Sequence, residues 1–285
     1  LQAVSTACRQ HHGRTDRVQD PREPRAEARR CSGDDGDTAV ETEEGQRVER
    51  LVRHAPRLFA AGDCASMETV KIRVGYGLGV RTHLNDTGFL EVVDALERLR
   101  FDSLWLSERI SGEAPDPLVA MSFAAARTTK LKFGMSVMVL PGRNPIVLAK
   151  ELATLDRMSN GRLLPAFGLG VADPVEQQAF GVERSKRARI FNEALAVIRQ
   201  CWTEEYVNFS GEHFTYENLR VEPKPKQNPP EVWLGGIAES ELKRVGRLSD
   251  GWLPSFVTPR DAAAGWAVVN DVASQHNREI DPEHF

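Results

Sequence analysis

A glycine pair near residue 235 is the clearest candidate for chemistry in this sequence. Leu234-Gly235-Gly236-Ile237 follows a short apolar run, and a helical pattern begins over residues 238–240. The backbone N–H groups at the start of a helix have no partner within the helix, so they can bind an anion such as a phosphate. We therefore predict an anion-binding turn at residues 234–237.

Two further glycines and one carboxylate stand at the ends of other apolar runs. Gly168 and Gly170 lack a Cβ, so the backbone there can approach a bound ligand closely. A simple turn into the next helix is the alternative interpretation. Glu108 directly follows the run SLWLS, where it is either part of a site or a solvated loop carboxylate.

Metal binding and serine hydrolase chemistry are disfavoured. Three isolated histidines have no cysteine or carboxylate at ligand spacing; they are His83, His213 and His284. The four cysteines match neither paired zinc ligands nor a disulfide framework; they are Cys8, Cys31, Cys64 and Cys201. The G-x-S-x-G elbow of hydrolases does not occur. We therefore predict no metal site.

The overall charge gives no reason to expect a polyanionic partner. A net charge of -4 and a pI near 6.0 do not attract nucleic acid or an anionic membrane. The sequence also has no apolar run of the roughly 18 to 20 residues needed to cross a bilayer, and its N-terminus lacks a signal-peptide core. We expect a cytoplasmic protein with a small-molecule substrate and with neither nucleic acid nor membrane as a partner.

From residue 70 onward, short apolar runs alternate with stretches of helical periodicity. Phe89, Val92, Val93, Leu96 and Leu99, for example, form the apolar stripe of one amphipathic helix. We predict strands at 72–80, 103–106, 131–140, 163–169, 232–234 and 251–253. We predict helices at 89–99, 118–127, 146–158, 187–202, 240–248 and 259–275. Such alternation indicates a parallel sheet covered by helices.

The choice between an open sheet and a closed barrel depends on the first strand-to-helix turn. A dinucleotide-binding sheet needs G-x-G-x-x-G there, whereas GYGLGVR carries its glycines at the wrong spacing. Residues 205–223, with aromatic residues around Gly211, are typical of an inserted hairpin, as found in the βα loops of barrels. These features favour the (β/α)8 barrel.

The first 66 residues differ in composition from the rest. Nine of them are Val, Leu, Ile, Phe, Met, Trp or Tyr, while eleven are Arg, twelve are Asp or Glu, and none is Lys. Too little apolar surface is available to offset the entropy of ordering this segment. We interpret residues 1–66 as a disordered extension, either translated upstream sequence or an unneeded addition, and residues 67–285 as the barrel domain.

Several segments together resemble the luciferase-like oxidoreductases, which use a flavin or deazaflavin. They are FDSLWLSERI, LPGRNPIVLAKELATLDRMSNGRLLPAFGLG, EQQAFGVERSKRARIFNEALAVIRQCW, NLRVEPKPKQNPPEVWLGG and GRLSDGWLPSF, in the order of the family. The resemblance covers residues 71–260 and is strongest to the branch that uses coenzyme F420, a deazaflavin. It implies a TIM (β/α)8 barrel with the cofactor across the C-terminal ends of the strands.

The resemblance also implies roles for individual residues. A non-proline cis peptide is expected at Ser136–Val137, forming a bulge behind the cofactor ring. Glu108 matches an acidic residue near the polar edge of that ring. Gly168 and Gly170 would approach the ring or its side chain, and Leu234, Gly235, Gly236 and Ile237 would bind the cofactor phosphate. Arg109 stands where some deazaflavin enzymes have a histidine proposed for acid–base work, so that role is not available here, and the catalytic residues stay unassigned.

Three functions remain open from the sequence. The first is F420-dependent hydride transfer to or from a small organic substrate, and the second is an FMN-dependent monooxygenase. The third is a non-catalytic cofactor-binding barrel or an inactive fragment, favoured by Arg109 and by the run Val171-Ala172-Asp173-Pro174. The resemblance further implies a possible homodimer. Only six core strands are found before the chain ends, so we predict a barrel lacking its last two strands, which would expose a long unpaired edge and part of the core.

Overall fold

The apolar runs of the chain form parallel strands that alternate with helices. The computed structural model describes residues 72–82 and 86–285, all of which belong to one unit of the chain. The strands are β1 Gly75–Leu78, β2 Ser103–Leu106, β3 Lys132–Met135, β4 Met138–Val139, β5 Leu163–Leu164, β6 Ala166–Gly168, β7 Val207–Ser210, β8 Thr215–Leu219, β9 Trp233–Gly235 and β10 Gly251–Leu253. The helices are α1 Asp86–Arg98, α2 Pro117–Arg127, α3 Pro145–Met158, α4 Pro174–Phe180, α5 Arg187–Thr203, α6 Glu239–Leu248 and α7 Pro259–Gln275.

The parallel strands form two four-stranded sheets, and two long strands are each interrupted so that their first half lies in one sheet and their second half in the other. One sheet has the order β1-β2-β3-β5, and the other has the order β4-β6-β9-β10. The chain passes from β3 to β4 through Ser136–Val137 and from β5 to β6 through Pro165. The predictions of single strands at 131–140 and 163–169 were therefore wrong in this detail. Ser136–Val137 is a cis peptide, and Pro165 has no N–H to give to a ladder.

If β3 with β4 and β5 with β6 are each counted as one interrupted strand, and the β7–β8 hairpin is set aside, the chain makes six strand passes. These six passes follow one another around the structure in sequence order, as in a (β/α)8 barrel. Large apolar side chains of these strands are buried; those with almost no exposure include Phe133, Met135, Phe167, Leu104 and Trp252. The barrel-type α/β fold is thus confirmed. Because each strand runs in the same direction, the C-terminal ends of all six passes lie at one end of the sheet.

The predicted hairpin exists, but it occupies a different type of connection. β7 and β8 pair antiparallel between α5 and β9, which is a helix-to-strand connection and not a βα loop. Glu193 on α5 holds the hairpin turn by accepting N–H groups from Glu212, His213 and Phe214. Such connections lie at the opposite end of the strands from the βα loops, so the hairpin does not contribute to a site there.

A short helix was missed by the sequence interpretation. In α4, Asp173 caps the first turn by accepting the N–H of Val175, Pro174 is the first helical residue, and Gly181 ends the helix with a φ of 65°. All three are established helix boundary signals. The helix was overlooked because at seven residues it is too short to show an apolar period.

The last residues of the chain cover part of the predicted open edge. β1 and β10 each pair with one strand within the described residues, so the barrel is not closed there. However, the Trp252 N–H donates to the carbonyl of His284, and Phe285 stacks on Trp252 and Trp266. Trp252 is therefore only 1% exposed, and the expectation that this edge uncovers the core was wrong at β10.

Two sequence predictions concern features that the structure addresses only in part. Residues 1–66 and His83 lie outside the described residues, so the predicted extension stays a prediction. No helix in the described ranges combines the length and the apolar composition needed to cross a bilayer.

Glu97 anchors the connection between α2 and β3, and its contacts there predict how the stability of the fold depends on pH. Its carboxylate accepts N–H groups from Thr129, Lys130 and Leu131. Partial burial would raise its pKa, but these hydrogen bonds outweigh that effect and lower the pKa to about 2 from 4.5. Because the folded-state pKa is the lower one, the stabilisation is complete above pH 4.5 and is lost as the pH falls toward 2.

We expect Glu97→Gln to lower the free energy of unfolding by roughly 1–3 kcal/mol at neutral pH, since one amide oxygen cannot replace a carboxylate. The loss should shrink as the pH falls through the range from 4.5 to 2. Urea unfolding across this range measures both effects. Glu91→Gln, on an exposed position of the same helix, should change stability by less than about 0.5 kcal/mol. Equal losses for the two variants would contradict the proposed anchoring.

Candidate functional site

A cavity of about 570 Å³ opens at the C-terminal ends of the strands. All six strand passes contribute to its walls through their last residues or the loops that follow them. These residues include Gly79 after β1, Ser107 and Glu108 after β2, Val137 and Val139 before and within β4, Gly168 and Gly170 at and after the end of β6, Gly235 and Gly236 at and after the end of β9, and Phe256 after β10. The volume lies within the usual range of small-molecule and cofactor sites.

Val137 forms part of the cavity floor. The cis peptide predicted at Ser136–Val137 is present. The Val137 side chain lies between two glycines: a methyl group built on Gly168 would be 2.5 Å from its Cγ2, and one built on Gly235 would be 3.0 Å from its Cγ1. Gly168 and Gly235 are therefore required for packing against Val137. This is a different physical reason from the close approach to a ligand that we predicted for Gly168.

Gly170 has a similar role one step further along the chain. Its φ is +79°, which favours glycine, and a methyl group there would lie 3.0 Å from Val139 Cγ1. Val139 also lines the cavity. Gly168, Gly170 and Gly235 thus lie at the cavity, but at each of them a neighbouring valine occupies the space that the missing side chain leaves.

Glu108 lies in the cavity wall with its carboxylate turned toward the protein. Its side chain is 3% exposed, it accepts the N–H of Val139 at 2.7 Å, and it forms a short ion pair with Arg143. Burial raises the pKa of Glu108, although the Arg143 guanidinium and the Val139 N–H act in the opposite direction. The prediction that Glu108 is near the site is consistent with this position. Because both of its oxygens have partners, a ligand has to share the carboxylate with them.

The predicted anion-binding turn is already occupied by a side chain of the same helix. The N–H groups of Ile237 and Ala238 both donate to Oε2 of Glu241 at 3.0 Å. Leu234 is buried in β9, and Gly235 and Gly236 line the cavity. The prediction that the amides beyond Leu234-Gly235-Gly236-Ile237 are free was therefore wrong. A carboxylate three residues into a helix often satisfies its first N–H groups, and Glu241 was not considered in that role.

A second group of charges joins two loops at the rim. Glu176 is buried and accepts the N–H groups of Ile110 and Ser111 and the Ser111 hydroxyl. Burial acts to raise its pKa, but these hydrogen bonds and Arg109 outweigh it, so the pKa of Glu176 is lowered. Arg109 also donates to Asp173 at 3.0 Å. The loop after β2 is thus fastened to the start of α4.

Arg187 is a functional candidate that the sequence interpretation missed. It begins α5, lines the cavity, and donates through Nη1 to the carbonyls of Leu169, Gly170 and Val171. A single arginine on a helix is more often a surface charge, and no local pattern distinguished Arg187 from Arg189 two residues later. Within the described part of the chain, no group of three or more His, Cys, Asp or Glu is arranged to bind a metal.

Comparison with known proteins agrees with this architecture. The family model described as luciferase-like monooxygenase matches residues 70–284. This chain belongs to the luciferase-like family. The proteins that it resembles include F420-dependent enzymes and flavin monooxygenases, so the comparisons do not settle the cofactor class.

Two curated relatives and one solved structure with a similar fold illustrate the range of proteins that this chain resembles. An F420-dependent glucose-6-phosphate dehydrogenase of Kineococcus radiotolerans is 32% identical over 55% of this chain and 49% of its own length. Limonene 1,2-monooxygenase of Rhodococcus erythropolis is 28% identical over 67% of this chain and 51% of its own length. The oxygenating constituent of 3,6-diketocamphane monooxygenase of Pseudomonas putida, solved with FMN, is 18% identical over 75% of this chain and 66% of its own, with a TM-score of 0.66. The chain thus spans about half the length of the curated relatives it matches.

Proposed function

We propose that this chain binds a deazaflavin of the F420 type in the cavity at the strand ends and supports hydride transfer to or from a small organic substrate. The observation that carries the proposal is the cavity itself, which has an apolar floor at Val137 and backbone walls at Gly168 and Gly235. A flat aromatic ring is complementary to a floor of this kind. The 32% identity to an F420-dependent dehydrogenase supports the deazaflavin over FMN.

The residues of the chain would orient the cofactor and exclude water. Val137 would support one face of the ring, and the Glu108–Arg143 pair would lie beside it as part of the cavity wall. The bound cofactor would supply the hydride chemistry, while the protein supplies binding and orientation. Arg109 is paired with Asp173 and Glu176, so we assign it no proton transfer.

An FMN-dependent monooxygenase is the second candidate, favoured by the 28% identity to a limonene monooxygenase. A cofactor-binding barrel without turnover is the third, favoured by the engaged side chain of Arg109. The small-molecule substrate, the homodimer and the cytoplasmic location stay predictions.

Separate titrations of the full chain with F420 and with FMN test the proposal. We expect F420 to bind at least about tenfold more tightly than FMN, measured by calorimetry. Reduced F420 should then be oxidised in the presence of an acceptor from a panel of small ketones, imines and activated alkenes. Tight FMN binding without F420 binding would favour the monooxygenase, and F420 binding without turnover would favour the non-catalytic barrel.

A further inference from the structure

Arg187 has hydrogen-bonding capacity that the protein does not use. Its Nη1 faces three successive carbonyls after β6, with Gly170 at 2.8 Å as the shortest contact. Its Nε is buried and has no partner among the described residues, and the hydrogen bonds that its guanidinium forms there all use Nη1. A buried donor without a partner is uncommon in native proteins, and a bound ligand is one recognised explanation.

The other buried or half-buried charges of the cavity are compensated. Glu108 pairs with Arg143, Arg109 pairs with Asp173, and Glu176 accepts three hydrogen bonds from the loop after β2. Arg81 also lines the cavity, but it is exposed to solvent. Each of these groups has a partner or water, so none of them calls for a charged ligand.

Arg187 differs from those groups because it faces no carboxylate at ion-pair distance in the described residues. Burial lowers the pKa of its guanidinium, and the neighbouring Arg184 acts in the same direction, while Glu241 offsets this only in part. A desolvated cation whose protein partners are carbonyls is stabilised by an anionic ligand.

The turn at Ile237 and Ala238 does not provide the alternative site. Both N–H groups are bound to the Glu241 carboxylate, and a methyl group at Gly236 would lie 2.9 Å from the same oxygen. A ligand anion would have to displace a tethered carboxylate of like charge from these amides. Arg187 needs no such exchange.

We propose that Arg187 binds the phosphate group of the cofactor through Nη2 and the adjoining Nε, and that Glu241 keeps the amides of Ile237 and Ala238 closed to it. The planar guanidinium presents these two nitrogens along one edge, which suits two oxygens of a phosphate. The assignment rests on the proposed function, because it takes the ligand to be a flavin or deazaflavin nucleotide.

The experiment compares ligands with and without phosphate. The pairs are FMN against riboflavin, and F420 against its chromophore lacking the phosphate-linked tail. In the full wild-type chain we expect the phosphate-bearing member of the tighter-binding pair to bind at least about tenfold more tightly. Arg187→Gln should reduce this preference to about twofold or less and leave the affinity of the phosphate-free ligand unchanged. Unchanged affinity for that ligand also shows that the variant is folded.

Three control variants make the result specific. Arg189→Gln removes an exposed arginine of the same helix, which pairs with Glu212, and should keep the full preference. Arg187→Lys keeps the charge but not the two-nitrogen edge and should retain at most about threefold. Glu241→Gln should leave the preference within about twofold of the wild type. A phosphate preference that survives in Arg187→Gln, or that rises about tenfold in Glu241→Gln, overturns the assignment. Either result would instead assign phosphate binding to the amides of Ile237 and Ala238.

A separate measurement distinguishes failure of the proposed function from failure of the Arg187 assignment. If none of the four ligands binds the wild type, the cofactor proposal fails, and inorganic phosphate then probes the anion site by ³¹P line broadening. Saturable broadening that is lost in Arg187→Gln and kept in Arg189→Gln supports the site. Equal broadening in both variants, or none in the wild type, overturns it.

Discussion

We expect Gly168→Ala to lower the free energy of unfolding by about 1–3 kcal/mol and to weaken cofactor binding by at least about tenfold. The added methyl group would lie 2.5 Å from Val137 Cγ2, a distance that packed carbon atoms do not tolerate. Gly168 is buried in β6, so we expect the valine to move toward the cavity. Urea unfolding and cofactor calorimetry measure the two effects.

Two further variants separate this explanation from a general effect of alanine in a strand. Gly77→Ala, in β1, has no atom within 4 Å of the new methyl group and should be close to neutral. Val137→Ala removes the Cγ2 methyl group that would meet the new methyl at Gly168, so the double variant Val137→Ala/Gly168→Ala should recover most of the lost stability. If the double variant regains stability but not cofactor affinity, Val137 itself contacts the cofactor. Additive losses in the double variant would rule out the steric explanation.

We expect Arg143→Met to cost about 2–3 kcal/mol of stability at about pH 8 and much less at about pH 5. Glu108 is 3% exposed, and removal of Arg143 leaves its carboxylate with the N–H of Val139 as the remaining partner. The folded-state pKa of Glu108 already lies above 4.5, so loss of the cation raises it further. A group with a raised folded-state pKa loses its favourable contribution as the pH rises, and the defect therefore grows with pH.

Urea unfolding at both pH values tests the Arg143 prediction. Arg127→Met breaks an exposed ion pair with Asp94, whose side chains are both 47% exposed, and should cause a much smaller loss at either pH. The double variant Glu108→Gln/Arg143→Met removes the buried charge as well and should be more stable than Arg143→Met alone at about pH 8. A pH-independent loss in Arg143→Met would show that packing against Phe180, and not the charge of Glu108, is responsible.

The elements of the fold were largely predictable because their signals are local. The strands 103–106 and 251–253 and the helix 259–275 have the predicted bounds. Helix caps such as Asn144 before α3 and Asp116 before α2 depend on residues within three positions. The cis peptide at Ser136–Val137 came from the family resemblance and not from the residues themselves.

The detail of the site was less predictable because it depends on residues distant in the chain. Gly168 and Gly235 are needed because Val137, from another strand, fills the space between them. Arg187 differs from Arg189 only in the carbonyls and the burial that the loop after β6 provides. Glu241 lies within the sequence window of the turn it occupies, so this contact was accessible to sequence reasoning and was overlooked.

The sequence by itself determined the alternation of strands and helices, the barrel-type order of the strands, and the end of the sheet at which a site forms. Periodicity and capping act over a few residues, and the direction of parallel strands follows from their connections. Only the tertiary structure decided which polar groups in that region are already paired. Pairing depends on the distances between side chains of different βα units: Glu108 faces Arg143, Arg109 faces Asp173, and the Nε of Arg187 is buried without a partner among the described residues.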